Sequence, residues 1–180
     1  MKFYSTQKNS PIVGLQEAVM NGLAPDGGLY MPVQIPRLPS DFFGQAGAMS
    51  FQDIAFEASK NFFLSDIPEN ILADFVREVF NFAVPLVELD KQFYVLELFH
   101  GPTGAFKDFA ARFMARLFGI FAEKSQQAIT ILVATSGDTG SAVAHGFLNV
   151  KGIKVIILYP SGKVSSLQEK QLTGMGGNVT

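Results

Sequence analysis

The sequence predicts an α/β fold, in which a parallel sheet with flanking helices follows a small, mainly helical N-terminal domain. From Pro85 onward, strand-like apolar runs and helical patterns alternate in the order β-α-β-α-β-α. Two of these runs, AITILVA and VIILY, are continuously apolar, which is typical of parallel strands that are buried on both faces. Residues 1–84 instead combine helical patterns with Pro/Gly turns. We therefore expect two domains, 1–84 and 85–180.

Three helices are predicted in the N-terminal domain. The first covers residues 10–21, with Ser10 as its N-cap before a proline. Ser50 can cap the second, with Asp53 placed as the acidic member of a capping box. Pro68 begins the third, whose apolar residues recur at the 3.6-residue period of a helix. These are Ile71, Leu72, Phe75, Val76, Val79 and Phe82.

The second domain is predicted from its alternating strands and helices. Strands are expected at 92–99, 128–135 and 153–160, and helices at 105–124, 139–150 and from Ser165 onward. Sheets of this kind bind ligands at the carboxyl ends of their strands. Three loops leave those ends, with the sequences HGPTGAFK, TSGDTGSA and PSGKVSS. We expect a site where these loops meet.

The composition excludes several classes of function. Of the 180 residues, 48% are hydrophobic and 17% are charged, which is typical of a globular protein with a sizeable core. A net charge of −2 gives no electrostatic support for nucleic-acid binding. The absence of cysteine excludes disulfides and thiol catalysis, and two histidines disfavour a histidine metal site. With no apolar h-region in MKFYSTQKNS and no run long enough to span a bilayer, we expect a cytoplasmic protein without membrane partners.

The loop Ser136-Gly137-Asp138-Thr139-Gly140 joins a buried strand to a helix. Its glycines let backbone N–H groups approach a ligand, and a helix N-terminus attracts an anion. The hydroxyls of Ser136 and Thr139 suit a carboxylate. Asp138 would repel an anion, but it can accept a hydrogen bond from a phenol-like hydroxyl. The alternative is an ordinary strand-to-helix turn capped by Ser136 and Asp138.

Lys107 lies in the first turn of a predicted helix, next to Phe106 and Asp108. The helix dipole and desolvation among aromatic side chains both disfavour an ammonium ion there. A neutral amine is a nucleophile toward a carbonyl, which is the Schiff-base use of lysine. The alternative is a surface lysine that pairs with Asp108 or another acid.

The third loop contains Gly162 and Lys163, like the end of a nucleotide P-loop, but Ile157 stands where that motif requires its first glycine. Lys163, with Ser165 and Ser166 just before a helix, can instead hold a phosphate. The alternative is a capped helix start. A Schiff-base lysine, a carboxylate-binding turn with a phenol acceptor and a phosphate-binding loop together indicate a pyridoxal phosphate enzyme that acts on a phosphorylated amino acid.

The motifs LELFHGPTGAFKDF, TSGDTGSAVAH and ILYPSGKVSSLQEKQL, in this order and spacing, resemble the threonine synthase family, as does the N-terminal NGLAPDGGLYMP. The resemblance covers essentially all 180 residues. It implies the tryptophan synthase β-like fold (fold type II) and pyridoxal 5'-phosphate as cofactor. It also implies conversion of O-phospho-L-homoserine and water to L-threonine and phosphate, by a monomer or homodimer when full length.

The resemblance assigns roles to the residues of the first two loops. Lys107 falls on the family's Schiff-base lysine, which afterwards acts as general base and acid. Ser136, Gly137 and Thr139 fall on the turn that faces the substrate carboxylate. Asp138 falls beside the cofactor's 3-hydroxyl, where relatives of this fold have Asn, so that this aspartate would share a proton with the hydroxyl oxygen.

Roles are also expected for five further side chains. Lys163 and Ser165 are candidates for the substrate's phosphate, and so is His100. For His100 the alternative is a hydrogen bond that orders the loop before Lys107. Phe106 can pack near the cofactor ring, or else in the core. His145 is expected to be structural.

The resemblance also implies parts that this sequence lacks. Family members are more than twice as long, and carry a later Gly-Asn-Phe-Gly-like loop for the cofactor's phosphate and a group for its pyridine nitrogen. The glycine-rich GMGGN at 174–178 is followed only by two residues, and GGNVT matches a strand start. We therefore expect a fragment of a longer gene product. Two alternatives stay open: a non-catalytic fragment or homologue that acts as a binding module, and a pyridoxal phosphate-dependent serine/threonine lyase of the same fold.

Overall fold

The computed structural model describes residues 1–126 and 128–180, which divide into two compact units, Met1–Glu78 and Val79–Thr180. The first unit contains β1 (Lys2–Ser5), β2 (Val13–Gly14), α1 (Leu15–Asn21), β3 (Tyr30–Pro32), α2 (Phe42–Gln45), a 3₁₀ turn (Ala46–Ala48), α3 (Phe51–Phe63) and nearly all of α4 (Glu69–Val79). The second contains β4 (Leu86–Asp90), β5 (Phe93–Leu96), α5 (Lys107–Ser125), β6 (Ile129–Ala134), α6 (Asp138–Phe147), β7 (Ile153–Leu158) and α7 (Ser166–Thr173).

A three-stranded antiparallel sheet, in the order β2-β1-β3, lies in the first unit. The sequence did not predict it, because strands of two to four residues are too short to show an alternating pattern. The predicted start of the first helix at Ser10 is wrong. Helix α1 begins at Leu15, and the Ser10 hydroxyl instead accepts a hydrogen bond from the Asp26 N–H (3.1 Å). Its end before Gly22, which has a positive φ of 69°, is confirmed.

The other two helix starts of this unit are confirmed. Ser50 caps α3 by accepting a hydrogen bond from the Asp53 N–H (3.1 Å). The carbonyl of Pro68 accepts the first hydrogen bond of α4, from the Leu72 N–H (2.9 Å). Helix α4 ends at Val79, so that Phe82 lies beyond it rather than in its last turn. Four of the periodic apolar residues are buried as predicted, with Leu72, Phe75, Val76 and Val79 at most 5% exposed, whereas Ile71 is 41% exposed.

The second unit contains the predicted parallel pairing. Strands β6 and β7 are parallel, with their register running from Ile129 opposite Ile153 to Ala134 opposite Leu158. Val179 forms a further parallel bridge with Val155, so GGNVT does continue the sheet.

The first predicted strand of this domain is not part of the parallel sheet. Strand β5 instead pairs antiparallel with β4, a strand that the sequence did not predict. Two residues, Lys91 and Gln92, separate the two strands, and Gln92 has a left-handed backbone (φ 65°). A hairpin that closes so short a loop costs much less chain entropy than pairing with a distant strand.

Helices α5 and α6 pack on each other and α6 packs on the sheet. The rings of Phe118 and Phe147 meet edge to face, with centroids 6.0 Å apart. A Cβ on Gly146 would lie only 3.0 Å from the backbone of Ala111, so this glycine allows the two helices to approach closely. The sequence predicted that both faces of the sheet are covered, but among the described residues just one face is buried. Leu132 and Leu158 on the other face are 65% and 53% exposed. Among the residues described, no helix is long and apolar enough to cross a bilayer.

Candidate active site

Two of the three predicted loops and the start of α7 line one cleft of about 420 Å³ in the second unit. Lys107 is the first residue of α5, and residues 134–139 run from the end of β6 through the turn into the start of α6. The lining residues are Lys107, Ala134, Thr135, Ser136, Gly137, Asp138, Thr139 and Gln168. The structure therefore brings together five residues that the sequence singled out: Lys107, Ser136, Gly137, Asp138 and Thr139. They meet at the carboxyl end of β6, as expected for a parallel sheet.

The amine of Lys107 faces the carboxylate of Asp138 across this cleft. Its Nζ lies 4.0 Å from Asp138 Oδ2 and 4.6 Å from the centre of the Phe106 ring. The Lys107 side chain is 32% exposed, so it is reachable from solvent but partly covered. The alternative core position for Phe106 is wrong, because 62% of this residue is exposed. An ion pair at this distance between partly exposed side chains contributes little to stability, so it holds neither side chain tightly.

The carboxylate of Asp108 does not pair with Lys107; it is fully buried and turned toward the preceding loop. Its Oδ2 accepts a hydrogen bond from the Thr103 N–H (2.9 Å), and its Oδ1 accepts one from the Thr103 hydroxyl (2.8 Å). A Cβ on Gly101 would overlap this carboxylate. Asp108 thus fastens the loop directly before Lys107. This role was not predicted from the sequence, although its signal is a Gly-Pro-Thr-Gly turn followed by an aspartate in the first helical turn.

The turn between β6 and α6 is held by Thr135, which the sequence analysis also missed. Its Oγ1 accepts hydrogen bonds from the N–H groups of Gly137 (3.1 Å) and Gly140 (3.0 Å). Capping by Ser136 and Asp138, the alternative considered for this turn, is not observed. Gly137 is the N-cap of α6, and no side-chain cap is present there. Thr135 thus orders the turn whose residues 136–139 line the cleft.

Gln168 is the third residue missed by the sequence analysis. Its Nε2 donates a hydrogen bond to Asp138 Oδ1 (3.3 Å), while the other carboxylate oxygen of Asp138 faces Lys107. The signal that could have found it is the pattern Ser165-x-x-Gln168 at a helix start, which is a capping box.

The third loop caps the start of α7 through this capping box, which is the alternative considered for it. Ser165 Oγ accepts a hydrogen bond from the Gln168 N–H (3.2 Å), and Gln168 Oε1 accepts one from the Ser165 N–H (3.3 Å). Lys163 is exposed, and neither it nor Ser165 lines the cleft described above. The structure therefore does not bring the predicted phosphate ligands to Lys107, and their role in binding phosphate stays a prediction.

His100 is held within its own loop. Its Nε2 lies 2.6 Å from Glu97 Oε2, and its ring packs on that of Phe99 with centroids 4.7 Å apart. These contacts order the segment that leads to Lys107, as the alternative for His100 supposed. His100 is not among the residues that line the cleft.

His145, on α6, has an Nδ1 atom that is buried and lacks a hydrogen-bond partner among the described residues. Burial lowers the pKa of His145, and the nearby Arg112 lowers it further, while Asp108 opposes the shift. A histidine with a lowered pKa takes up its proton more readily in the unfolded chain than in the folded one. His145 therefore lowers the free energy of unfolding only below the unfolded pKa of about 6.5, and this free energy falls further as the pH drops below that value.

We expect His145→Gln to remove this component of the pH dependence. Urea unfolding of the native chain and the variant at pH 7.5 and at pH 5.5 measures it. The native chain should lose more unfolding free energy between these two pH values than the variant does. Equal losses in the two proteins would show that His145 does not carry the effect.

Two family models match the chain: threonine synthase N terminus over residues 2–80, and pyridoxal-phosphate dependent enzyme over residues 81–180. The chain is 41% identical over 180 residues to the threonine synthase of Buchnera aphidicola subsp. Acyrthosiphon pisum (strain APS), an alignment that covers 99% of this chain and 42% of the relative. It is 40% identical over 179 residues to the threonine synthase of Escherichia coli (strain K12), covering 99% of this chain and 41% of the relative.

The fold is likewise similar to a solved structure. The crystal structure of PLP bound threonine synthase from Brucella melitensis superposes with a TM-score of 0.94 at 36% identity, covering 99% of this chain and 40% of that one. The chain thus spans about two fifths of the length of the curated relatives it matches. These matches confirm the resemblance, the predicted fold class, and pyridoxal phosphate as the cofactor.

Proposed function

We propose that this protein, which belongs to the family of pyridoxal-phosphate dependent enzymes, is a threonine synthase. Such an enzyme is a carbon–oxygen lyase that converts O-phospho-L-homoserine and water to L-threonine and phosphate. The observation that supports this most is the cleft in which Lys107 faces Asp138, beside the Ser136–Thr139 turn. The similarity to threonine synthases over 99% of this chain supports the choice of reaction within the family.

The residues of the cleft fit pyridoxal phosphate. The cofactor carries an aldehyde, which needs a primary amine, and an aromatic hydroxyl, which needs an acceptor. Lys107 supplies the amine and Asp138 supplies the acceptor, with Nζ and Oδ2 separated by 4.0 Å. When bound, the cofactor supplies an electron sink that stabilises negative charge at the substrate's α carbon. Lys107 would hold its aldehyde carbon, and Phe106, whose exposed ring borders Lys107, would pack near its ring.

The remaining roles follow from the substrate's charges. The hydroxyls of Ser136 and Thr139 and the backbone at Gly137 would bind the substrate's carboxylate at the N-terminus of α6, where the helix dipole favours an anion. Lys107 would also move protons at the α and β carbons of the substrate as general base and acid. Lys163, Ser165 and His100 remain the candidates for the substrate's phosphate.

The domain division belongs to the same proposal. We assign residues 1–84 to a threonine synthase N-terminal domain and 85–180 to the first part of the cofactor-binding domain. The two family models meet between residues 80 and 81, a few residues before this boundary.

The proposed reaction is tested by turnover of O-phospho-L-homoserine. The whole protein, purified with pyridoxal phosphate, should release phosphate and L-threonine in equal amounts and form little keto acid from L-serine or L-threonine. Keto acid without phosphate release would instead indicate a serine/threonine lyase. If no substrate turns over although Lys107 binds the cofactor, the binding-module alternative would stand.

A further inference from the structure

We propose that Gln168 is a positioning residue that keeps the carboxylate of Asp138 directed at Lys107. The inference rests on the proposed roles of Lys107 and Asp138, and adds a residue from the start of α7 to that site. Gln168 lines the same cleft as both of them.

The two carboxylate oxygens of Asp138 face different partners, one through a hydrogen bond and the other through an ion pair. Oδ1 accepts from Gln168 Nε2 at 3.3 Å, and Oδ2 lies 4.0 Å from Lys107 Nζ. The Asp138 side chain is 61% exposed, and an exposed carboxylate changes rotamer readily. The donor at Oδ1 therefore favours the rotamer that turns Oδ2 toward the amine.

The amide of Gln168 is itself held in place. Its Oε1 accepts a hydrogen bond from the Ser165 N–H (3.3 Å). An N–H donor needs an oxygen acceptor, so this contact fixes which end of the amide is the oxygen and leaves the nitrogen facing Asp138. On the other side the amide lies against Gly137, where a Cβ would overlap its nitrogen. The absence of a side chain at Gly137 thus allows α7 to contact the turn of the site.

Capping alone does not require glutamine at this position. Glutamate serves equally well as the last member of a capping box, because a carboxylate oxygen accepts the hydrogen bond from the N-cap N–H. Only the amide can also donate to Asp138. Gln168→Glu therefore keeps the cap of α7 but replaces the donor with a second carboxylate beside Asp138. The substitution separates the structural role of Gln168 from the proposed positioning role.

The test measures cofactor binding at Lys107 in the whole protein. Pyridoxal phosphate is titrated, the complex is reduced with borohydride, and the label on the Lys107 peptide gives the half-saturating concentration. We expect Gln168→Glu to raise this concentration about tenfold, which corresponds to about 1.4 kcal/mol. The thermal midpoint should stay within about 2 °C of the native value, because the cap remains.

Gln171→Glu is the matched control. It adds the same charge to the same helix, and its carboxylate still accepts the hydrogen bond that Gln171 Oε1 receives from the Ser141 hydroxyl (3.3 Å). It should change the half-saturating concentration by less than about twofold, because a charge outside the cleft is screened by solvent.

Repeating Gln168→Glu in an Asp138→Asn background shows whether Gln168 acts through Asp138. Simple repulsion of the anionic cofactor by the new carboxylate would persist in that background, whereas an effect exerted through Asp138 should shrink to about twofold or less. An undiminished effect, or a Gln168→Glu protein that behaves like Gln171→Glu, would overturn the inference.

A native protein without label on Lys107 would instead contradict the proposed function. If Gln168→Glu does not fold, Gln168→Met in both backgrounds answers the same question.

Discussion

Replacing Lys107 by alanine is expected to lower turnover of O-phospho-L-homoserine by about 10³-fold or more, because it removes both the anchor of the cofactor and the proton-transferring amine. Of the described residues that line the cleft, Lys107 alone carries a primary amine. The expected result is therefore a loss in kcat that high cofactor concentrations do not restore. Steady-state phosphate release measures it.

Borohydride reduction with pyridoxal phosphate and peptide mapping give a readout that does not depend on turnover. The label should be confined to Lys107 in the native protein and absent from Lys107→Ala. Lys107→Arg keeps the positive charge beside Asp138, but its guanidinium does not react with an aldehyde at neutral pH, so it should behave like the alanine variant. Lys124→Ala, in the last turn of the same helix and exposed, is the control that should retain label and activity.

A label scattered over surface lysines in the native protein would show that this cleft does not assemble a reactive amine. Turnover of Lys107→Ala within tenfold of the native rate would equally exclude Lys107 as the catalytic amine. Loss of turnover in Lys107→Arg alone, with Lys107→Ala active, would mean that the bulk of the side chain matters rather than its chemistry.

Replacing Asp108 by alanine is expected to destabilise the protein by about 2–4 kcal/mol, because it leaves the part-buried N–H and hydroxyl of Thr103 without their acceptor and leaves a cavity where the fully buried carboxylate was. Thr103→Val removes only the hydroxyl bond and should cost about 1 kcal/mol. Gly101→Ala places a methyl group onto the carboxylate and should cost about 1–3 kcal/mol through overpacking. Urea unfolding of the three variants gives these values.

Asp74→Ala is the control for a general effect of removing a carboxylate. Asp74 is 79% exposed and its ion pair with Arg77 is 4.0 Å long, so this substitution should leave stability nearly unchanged. An Asp108→Ala protein as stable as Asp74→Ala would contradict the fastening role of Asp108. Because Asp108 secures the loop that leads into Lys107, folded Asp108→Ala protein should also bind pyridoxal phosphate at Lys107 more weakly.

The sequence alone determined the features that depend on neighbouring residues. Ser50 and Pro68 mark helix starts because a cap or a fixed φ acts within one turn, and the helix that begins at Lys107 follows from local periodicity. The parallel strands β6 and β7 were predictable from their continuous apolar runs. Lys107 does meet the turn at 136–139 as expected, but the alignment of parallel strands does not account for it, because β5, the strand before Lys107, pairs antiparallel with β4 outside the parallel sheet.

Tertiary structure alone decided the contacts between distant residues. Whether Asp108 meets Lys107 or Thr103 depends on the path of a loop, and composition does not encode that path. Gln168 and Asp138 are 30 residues apart and meet because α7 starts over the turn of α6. The antiparallel partners of β1 and of β5 likewise could not be predicted from the sequence, because short strands gain their stability from pairing and not from intrinsic preference. Local chemistry thus identified the reactive groups, and the fold determined which neighbours orient them.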